Sequence, residues 1–525
     1  MPGYYVQNFG CRATQADGAA LERQFEECGL ERAGTAEQAA VVVLNTCTVT
    51  AAADQDARAA VRRVQRRNPA AQIVVTGCYA QRAPEEVAAL PGVACVVGNS
   101  HKHELARIVT ASRSGWPQTP AADAMTGETG PIAALKALRH PNPVQSACGS
   151  FSGAQALVPL MTLSASSECR VSDAGGPIFV SDIFAHTELI AAPVFDAPNE
   201  RTRPNLKIQD GCDNRCSFCV IPYVRGHSRS LESERIIAEV NTLVAAGYRE
   251  VVISGINLGR WGRDLGVSST ASLSKSRQPP TTNSGRLAML IHDILSDTAL
   301  EKLRISSVEP MDWSDELIAL VAQSPRIAKH AHVPMQSGSD AVLRRMHRRY
   351  RPWHYREKIG KIRAAMPAAA IGADVMVGFP GETEAEFEAT RRMIEELPFT
   401  YLHVFTYSAR PGTPAAVMQN QVPGRVAQER NRILRDLAAE KKLAFMRGFV
   451  GKEVEAITLR SGDGGALEGD GPAGESARAT PTEALTDNYL KLRLSGRHEP
   501  NRWLRARIEE VVNGMLVGSV EAARP

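Results

Sequence analysis

Residues 206–230 read LKIQDGCDNRCSFCVIPYVRGHSRS, and the rest of the chain is read outward from the three cysteines in that stretch. Cys212, Cys216 and Cys219 are spaced C-x3-C-x2-C. Three thiolates so close in sequence can grip one face of a cubane iron–sulfur cluster. A [4Fe–4S] cluster takes four cysteines, so three leave one iron open to another ligand. Phe218, before the last cysteine, is aromatic, and Asp210, Asp213, Asn214, Pro222 and Gly226 are loop formers, as expected of a cluster loop that follows a strand. The competing readings are a zinc site and three ordinary buried cysteines. Zinc sites pair C-x2-C units with a second pair further on, and that second pair is missing.

The chain has 525 residues, enough for two to four domains, and is 43% hydrophobic, ample for packed cores. It has no apolar run long enough to span a bilayer. The start, MPGYYVQNFGC, lacks a basic region followed by an apolar one, so a cytoplasmic protein without a membrane partner is expected. Ten cysteines in such a chain point to metal or redox chemistry rather than disulfides. The net charge of +4 permits nucleic-acid binding without demanding it, so any basic footprint must be local.

Residues 1–110 alternate strands and helices. Tyr4–Val6, Val41–Leu44, Ile73–Val75 and Val93–Val97 read as strands, and about Thr14–Cys28 and Asp54–Arg67 as helices. The pattern is a small parallel α/β domain, in which ligands gather at the carboxyl ends of strands. Cys11, Cys47 and Cys78 each sit just past such an end, so the topology brings them to one edge and suggests a second three-thiolate cluster. The alternative is three structural cysteines, because a free cysteine is usually a small buried hydrophobe. Cys28, in a helix, and Cys95, in a strand, are read as structural.

Residues 111–200 are rich in Ala, Ser, Gly and Pro and read as a low-complexity linker or insertion, with weak apolar runs at Ala154–Met161 and Ile178–Ile183. No metal role is expected for Cys148 or Cys169 there. Over 201–445 the α/β alternation returns as a full or partial (β/α) barrel, interrupted by a polar insert from Asp264 to Gly285. Barrel chemistry sits on loops at the carboxyl ends of strands. Gly255, Asn257, Ser307, Glu309, Gln336 and Ser337 fall at such ends. Asp374 lies in an apolar strand, where a buried carboxylate needs a partner. Thr383 and Glu386 suit a helix cap. Leu343–Arg351, LRRMHRRYR, reads as a solvated basic face or, for an RNA substrate, a phosphate contact. Residues 446–520 read as short strands at Val450–Leu459, Ala484–Leu494 and Trp503–Val511, with a Gly-rich loop at Asp463–Ser476: a small β-barrel. Lys491, Arg493, Arg502, Trp503 and Arg505 mix cations with an aromatic ring, as RNA-binding surfaces do.

The C-x3-C-x2-C signature resembles the radical S-adenosylmethionine (SAM) superfamily. NFGCRATQADG, LNTCTVT and VVTGCYAQ resemble the amino-terminal domain of the methylthiotransferase family, and 446–520 is similar to the TRAM RNA-binding barrel. The resemblance implies an α/β multidomain chain: a parallel α/β domain, an open (β/α)6 radical SAM barrel and a small TRAM-like β-barrel. It implies two [4Fe–4S] clusters, one on Cys212, Cys216 and Cys219 whose open iron chelates SAM, and an auxiliary one on Cys11, Cys47 and Cys78 implicated in sulfur delivery. Phe218, Gly255, Asn257, Ser307, Glu309 and Gln336 would lie near SAM or the substrate. It implies an electron donor such as flavodoxin or ferredoxin, leaves the sulfur donor unspecified, and gives the anticodon loop of tRNA as substrate. Within the family, two branches modify the adenosine just 3′ of the anticodon, position 37, carrying a threonylcarbamoyl or an isopentenyl group. A third modifies an aspartate of a ribosomal protein. NTCTVT, VVTGCYAQ, LKIQDGC and LHVFTYSARPGTPAA are most similar to the threonylcarbamoyl branch, so methylthiolation at C2 of that nucleoside is expected. CRATQADG departs from it, with Ala13 and Thr14 where that branch has an aliphatic residue and Asn.

Overall fold

The computed structural model describes residues 3–112, 169–171, 176–186, 189, 202–265, 285–460 and 481–520. The amino-terminal unit is one sheet of seven strands: β1 (Gly3–Asn8), β2 (Glu31–Arg32), β3 (Val41–Thr46), β4 (Gln72–Gly77), β5 (Val93–Val97), β6 (Cys169–Val171) and β7 (Pro177–Phe179), in the order β2-β1-β3-β4-β5-β7-β6. All pairings are parallel except β6 with β7. Every residue of β3 is buried, as a strand covered on both faces requires. The first two helices, Arg12–Glu27 and Ala51–Arg67, begin earlier than the sequence pattern suggests. In the second, the Thr50 hydroxyl accepts the Ala53 N–H and starts the helix a turn before Asp54. The region read as linker also adds to this sheet: β7 lies alongside β5, with Ile178 buried against it. Cys169 falls in β6. Cys148, the run Ala154–Met161, most of the insert after Asp264, and the loop Asp463–Ser476 lie outside the described residues.

The central unit is an open barrel. Its strands are β8 (Asn205–Asp210), the short antiparallel β9 (Arg229–Ser230), β10 (Glu250–Gly255), β11 (Lys302–Ile305), β12 (His330–His332), β13 (Ala370–Val377) and β14 (Tyr401–Thr406). β8, β10 and β11 pair in parallel, as do β12, β13 and β14, and bridges at Leu303–Ile327 and Ser307–His332 join the two sets. The result is six parallel strands in the order β8-β10-β11-β12-β13-β14, with β9 at the β8 edge. Ile371, Ala373, Val375 and Val377 of β13 pack into the main core under the helices, which turns Gly372, Asp374 and Met376 to the barrel lumen. The expected cap is present: Thr383 Oγ1 accepts the Glu386 N–H at 3.3 Å and the Glu386 carboxylate accepts the Thr383 N–H at 2.8 Å.

The carboxy-terminal unit is a closed barrel of β15 (Glu453–Thr458), β16 (Thr482–Thr486), β17 (Lys491–Leu494), β18 (Trp503–Val512) and β19 (Met515–Val520), in the order β15-β16-β17-β19-β18. The alternating run Ala484–Leu494 is not one strand. It breaks at Asp487–Leu490, where Tyr489 takes φ +69° and the Thr486 side chain accepts the Leu490 N–H. That hairpin plugs the amino-terminal end of the central barrel. Tyr489 lies 4.8 Å from His330 and its ring is 5.3 Å from the Arg304 guanidinium. Its hydroxyl accepts from Arg12 of the first domain at 3.2 Å, so one side chain ties all three units.

Removing that plug costs packing at a three-way junction. Tyr489→Ala is expected to lower the unfolding free energy by roughly 3 kcal/mol, read by denaturant titration of the full chain. Tyr489→Phe, which keeps the ring, should lose about 1 kcal/mol.

Candidate active site at the mouth of the barrel

β8 delivers the cysteine loop to the carboxyl-terminal mouth of the barrel. Gly211 turns the chain at φ +68°, and a Cβ there would lie 1.9 Å from the His227 carbonyl oxygen, so only glycine fits. Cys212 N–H then donates to Gly226 O at 3.1 Å, and Cys219 N–H to Cys216 O at 3.1 Å. The sulfurs are met by donors: Asn214 N–H 3.4 Å and Asn257 Nδ2 3.7 Å from Cys212 Sγ, and Arg348 Nη1 3.3 Å from Cys216 Sγ. Arg348 also pairs with Glu309. The loop is fastened by Ser217, whose hydroxyl donates to Arg345 O at 2.7 Å.

Burial pushes the Cys219 thiol up to about 12, and Cys216 and Cys212 push it the same way. Burial raises Cys212 as well, against the Asn214 N–H. Thiols that oppose one another's ionisation become thiolates together only around a cation, so this donor set fits an iron–sulfur cluster.

Asn257 N–H donates to Gln209 Oε1 at 2.7 Å while its own Oδ1 is buried without a protein partner. A Cβ on Gly255 would lie 2.8 Å from the same Gln209 oxygen. Ser307 and Gln336 sit further round the mouth: Ser307 Oγ is 2.5 Å from His332 Nδ1, and Gln336, at φ +62°, donates its N–H to Asp374 O at 2.8 Å. Ser337 is turned away, its hydroxyl 3.1 Å from Thr390 Oγ1. Phe218 packs edge-on against Phe379 at 6.4 Å in a cluster with Val342 and Met346, and so anchors the loop. The segment Leu343–Arg351 is therefore only partly a solvated basic face: Arg344 and Arg349 are exposed, whereas Arg348 is buried against Cys216. Its partners lie far off in sequence, which is why the pattern alone conceals it.

The second trio meets at the edge of the first sheet. Cys11 precedes the helix Arg12–Glu27, Cys47 follows β3 and Cys78 follows β4. Gly10, at φ +96°, lets the first loop touch the second, for a Cβ there would lie 2.6 Å from Cys47 Cβ. Burial pushes the Cys47 thiol up to about 12, with the charges of Cys78 and Cys11 adding to it. Cys78 packs against Val220 and Val224, which immediately follow Cys219, and Asn99 Nδ2 is 3.6 Å from its sulfur. The short segment 219–225 thus links the two trios.

Beneath that link lies a buried ion network. Asp17 accepts from Lys102 at 3.0 Å, from Arg225 at 2.9 Å and from Lys207; Asp210 accepts from Lys207 at 2.8 Å and Arg225 at 2.9 Å. Burial alone would raise both carboxyls, but nearby cations hold them well below the usual range: Lys102, Lys207 and Arg225 for Asp17, and Arg225, Lys207 and Arg229 for Asp210. Two carboxylates bond three cations, and the Arg225 guanidinium lies close to Cys78 and Cys11.

Residues 3–98 match a model described as uncharacterized protein family UPF0004, and residues 206–394 match the radical SAM superfamily. The chain is 33% identical over 494 residues to the threonylcarbamoyladenosine tRNA methylthiotransferase MtaB of Bacillus subtilis (strain 168), covering 93% of this chain and 89% of that one. The chain belongs to the radical SAM methylthiotransferase family. It is an enzyme of that family, whose cofactors are [4Fe–4S] clusters and SAM. MtaB of Aquifex aeolicus (strain VF5) is 31% identical over 504 residues, with 96% and 99% covered. A tRNA-2-methylthio-N(6)-dimethylallyladenosine synthase of Erythrobacter litoralis (strain HTCC2594) is also 31% identical, over 469 residues, with 87% of each chain covered.

In this methylthiotransferase the terminal barrel offers a basic outer surface. Lys491 and Arg493 alternate with buried Leu492 and Leu494, and Arg502 and Arg505 are exposed. Trp503 is half-buried beside Ile457 and Leu485, with Lys302 4.8 Å above its ring, so it is not an open stacking platform. A cleft of about 550 Å³ between β14, the helix Gly424–Arg447 and the terminal barrel is lined by Arg203, Arg435, Lys442 and Lys491. Among the described residues, no helix is long and apolar enough to cross a membrane.

Asp17→Asn leaves three buried cations facing one carboxylate, and is expected to destabilise the full chain by about 3–5 kcal/mol in denaturant titration.

Proposed function

We propose that this enzyme installs a methylthio group at C2 of N6-threonylcarbamoyladenosine at position 37 of tRNA, with one [4Fe–4S] cluster on Cys212, Cys216 and Cys219 and a second on Cys11, Cys47 and Cys78. The observation that carries this reading is the packing of Cys78 against Val220 and Val224, which sets two trios of mutually opposing thiols side by side. When bound, SAM and the clusters supply the adenosyl radical and the sulfur.

The chain's own residues hold and shield these groups. Asn214 N–H, Asn257 and Arg348 donate to the sulfurs of Cys212 and Cys216 and offset their negative charge. Arg348 holds Glu309 within electrostatic reach of Cys212. The basic cleft and the cations on β17 and β18 suit an RNA backbone. An electron donor of the flavodoxin or ferredoxin kind would reduce the first cluster.

The lumen favours the threonylcarbamoyl branch over the isopentenyl one. His332, Asp374, Tyr401 and His403 line it with polar groups, a lining that suits a hydrogen-bonding side chain better than a hydrocarbon.

Mass spectrometry of nucleosides from total tRNA, with and without the gene, tests the reaction. The methylthiolated threonylcarbamoyladenosine should vanish and its precursor accumulate. Loss of the methylthio-isopentenyl nucleoside instead would keep the chemistry and overturn the substrate; no change in either would turn attention to a ribosomal protein. In purified enzyme, Cys216→Ala should abolish reductive SAM cleavage, whereas Cys47→Ala should keep that cleavage and lose sulfur insertion.

A further inference from the structure

The luminal cluster on the last three strands lies apart from both cysteine trios and holds none of the cofactors described above. His332, Asp374 and His403 come from adjacent parallel strands, and β13 and β14 pair Asp374 directly with His403. His332 pairs with Gly372, one luminal position before Asp374. One ligating atom from each of the three lies within 4.8 Å of the others. We propose that they form a site for one divalent transition-metal ion such as Zn2+, and that its open coordination positions take the carboxylate and hydroxyl oxygens of the threonyl group. The ligand half of this inference rests on the substrate proposed above.

Four observations carry it. First, the donor set is two imidazoles and one carboxylate, which suits first-row divalent cations and leaves positions free for exogenous ligands. Second, His332 is only 8% exposed, yet its Nε2 has no hydrogen-bond partner. Asp374 Oδ1 lies 3.4 Å away without making a hydrogen bond to it. A buried ring nitrogen left so is costly unless something binds it. Third, the other nitrogen of His332 is fixed by Ser307 Oγ at 2.5 Å, the outer support that orients a ligating histidine. Fourth, the open side faces the lumen: the Asp374 side chain is 26% exposed and His403 is exposed.

Charge then explains selectivity. Bare, the cluster presents the Asp374 carboxylate and would repel a substrate carboxylate. With a dication bound, the local charge becomes positive and attracts it. An isopentenyl group has no oxygen to offer such an ion, so the same site would separate the two tRNA nucleosides.

The test uses the full chain with its clusters loaded, under anaerobic conditions, dialysed against Zn2+ and analysed for zinc and iron together. One zinc per chain is expected beyond the iron of the clusters. Asp374→Asn and His403→Ala should lose the zinc while keeping their iron, and Ser307→Ala should weaken zinc binding about tenfold. Zinc absent from the wild-type chain, or retained equally by Asp374→Asn and His403→Ala, overturns the site and leaves an ordinary His332–Asp374 contact. A second readout is affinity for an anticodon stem-loop. With zinc, a loop carrying threonylcarbamoyladenosine should bind about tenfold more tightly than without it, and a loop carrying isopentenyladenosine should be indifferent. Zinc bound without that difference overturns the ligand half. If zinc binds as expected but the nucleoside profile of total tRNA shows another substrate, the proposed function fails and the metal site stands.

Discussion

The architecture depends on burying unlike charges between two domains. Asp17 lies on the first helix of the amino-terminal domain, and Asp210 ends the strand that leads to the cysteine loop. Neither carboxylate is tolerable alone in a dry interface, and each is held by Lys207 and Arg225 from the barrel, with Lys102 completing Asp17. Because both partners must be present to offset the desolvation, the domains can meet in one register only. That register sets Cys78 on the segment following Cys219. A second bridge, Arg410 with Asp54, repeats the device on the far side of the contact.

The network has a further electrostatic consequence. Its cations outnumber its carboxylates, and one of them, Arg225, lies beside Cys11 and Cys78. Thiolates around a cluster carry net negative charge, and a fixed cation in a poorly solvated interface favours that state more than it would in water. The first trio has its own counterpart in Arg348 at Cys216. Each cysteine trio therefore has one buried arginine beside it, contributed in both cases by the barrel domain.

Much of this was legible in the sequence, for physical reasons. VVVL, IVV and VACVV announce strands buried on both faces, and the order of strands and helices fixes a parallel sheet, which in turn brings Cys11, Cys47 and Cys78 to one edge. The cysteine loop was legible from spacing alone. What escaped was whatever depends on partners distant in the chain. β7 is three residues long inside a stretch of low complexity, and only its pairing with β5 and β6 makes it a strand. The hairpin at Asp487–Leu490 hides in an alternating run, because a period of two continues across a turn. Arg348, Arg225 and the His332–Asp374–His403 cluster look like surface charge or isolated polar residues until the fold supplies their neighbours. Asp374 gave a hint, being a carboxylate in an apolar strand.

The measurement that tests the account most directly is the iron and acid-labile sulfide content of the Cys212→Ala, Cys216→Ala, Cys219→Ala triple variant after reconstitution. If each trio holds its own cluster, about four irons and four sulfides per chain remain, against about eight of each in the parent protein. A variant that retains none, or a parent that never exceeds about four, would contradict the account.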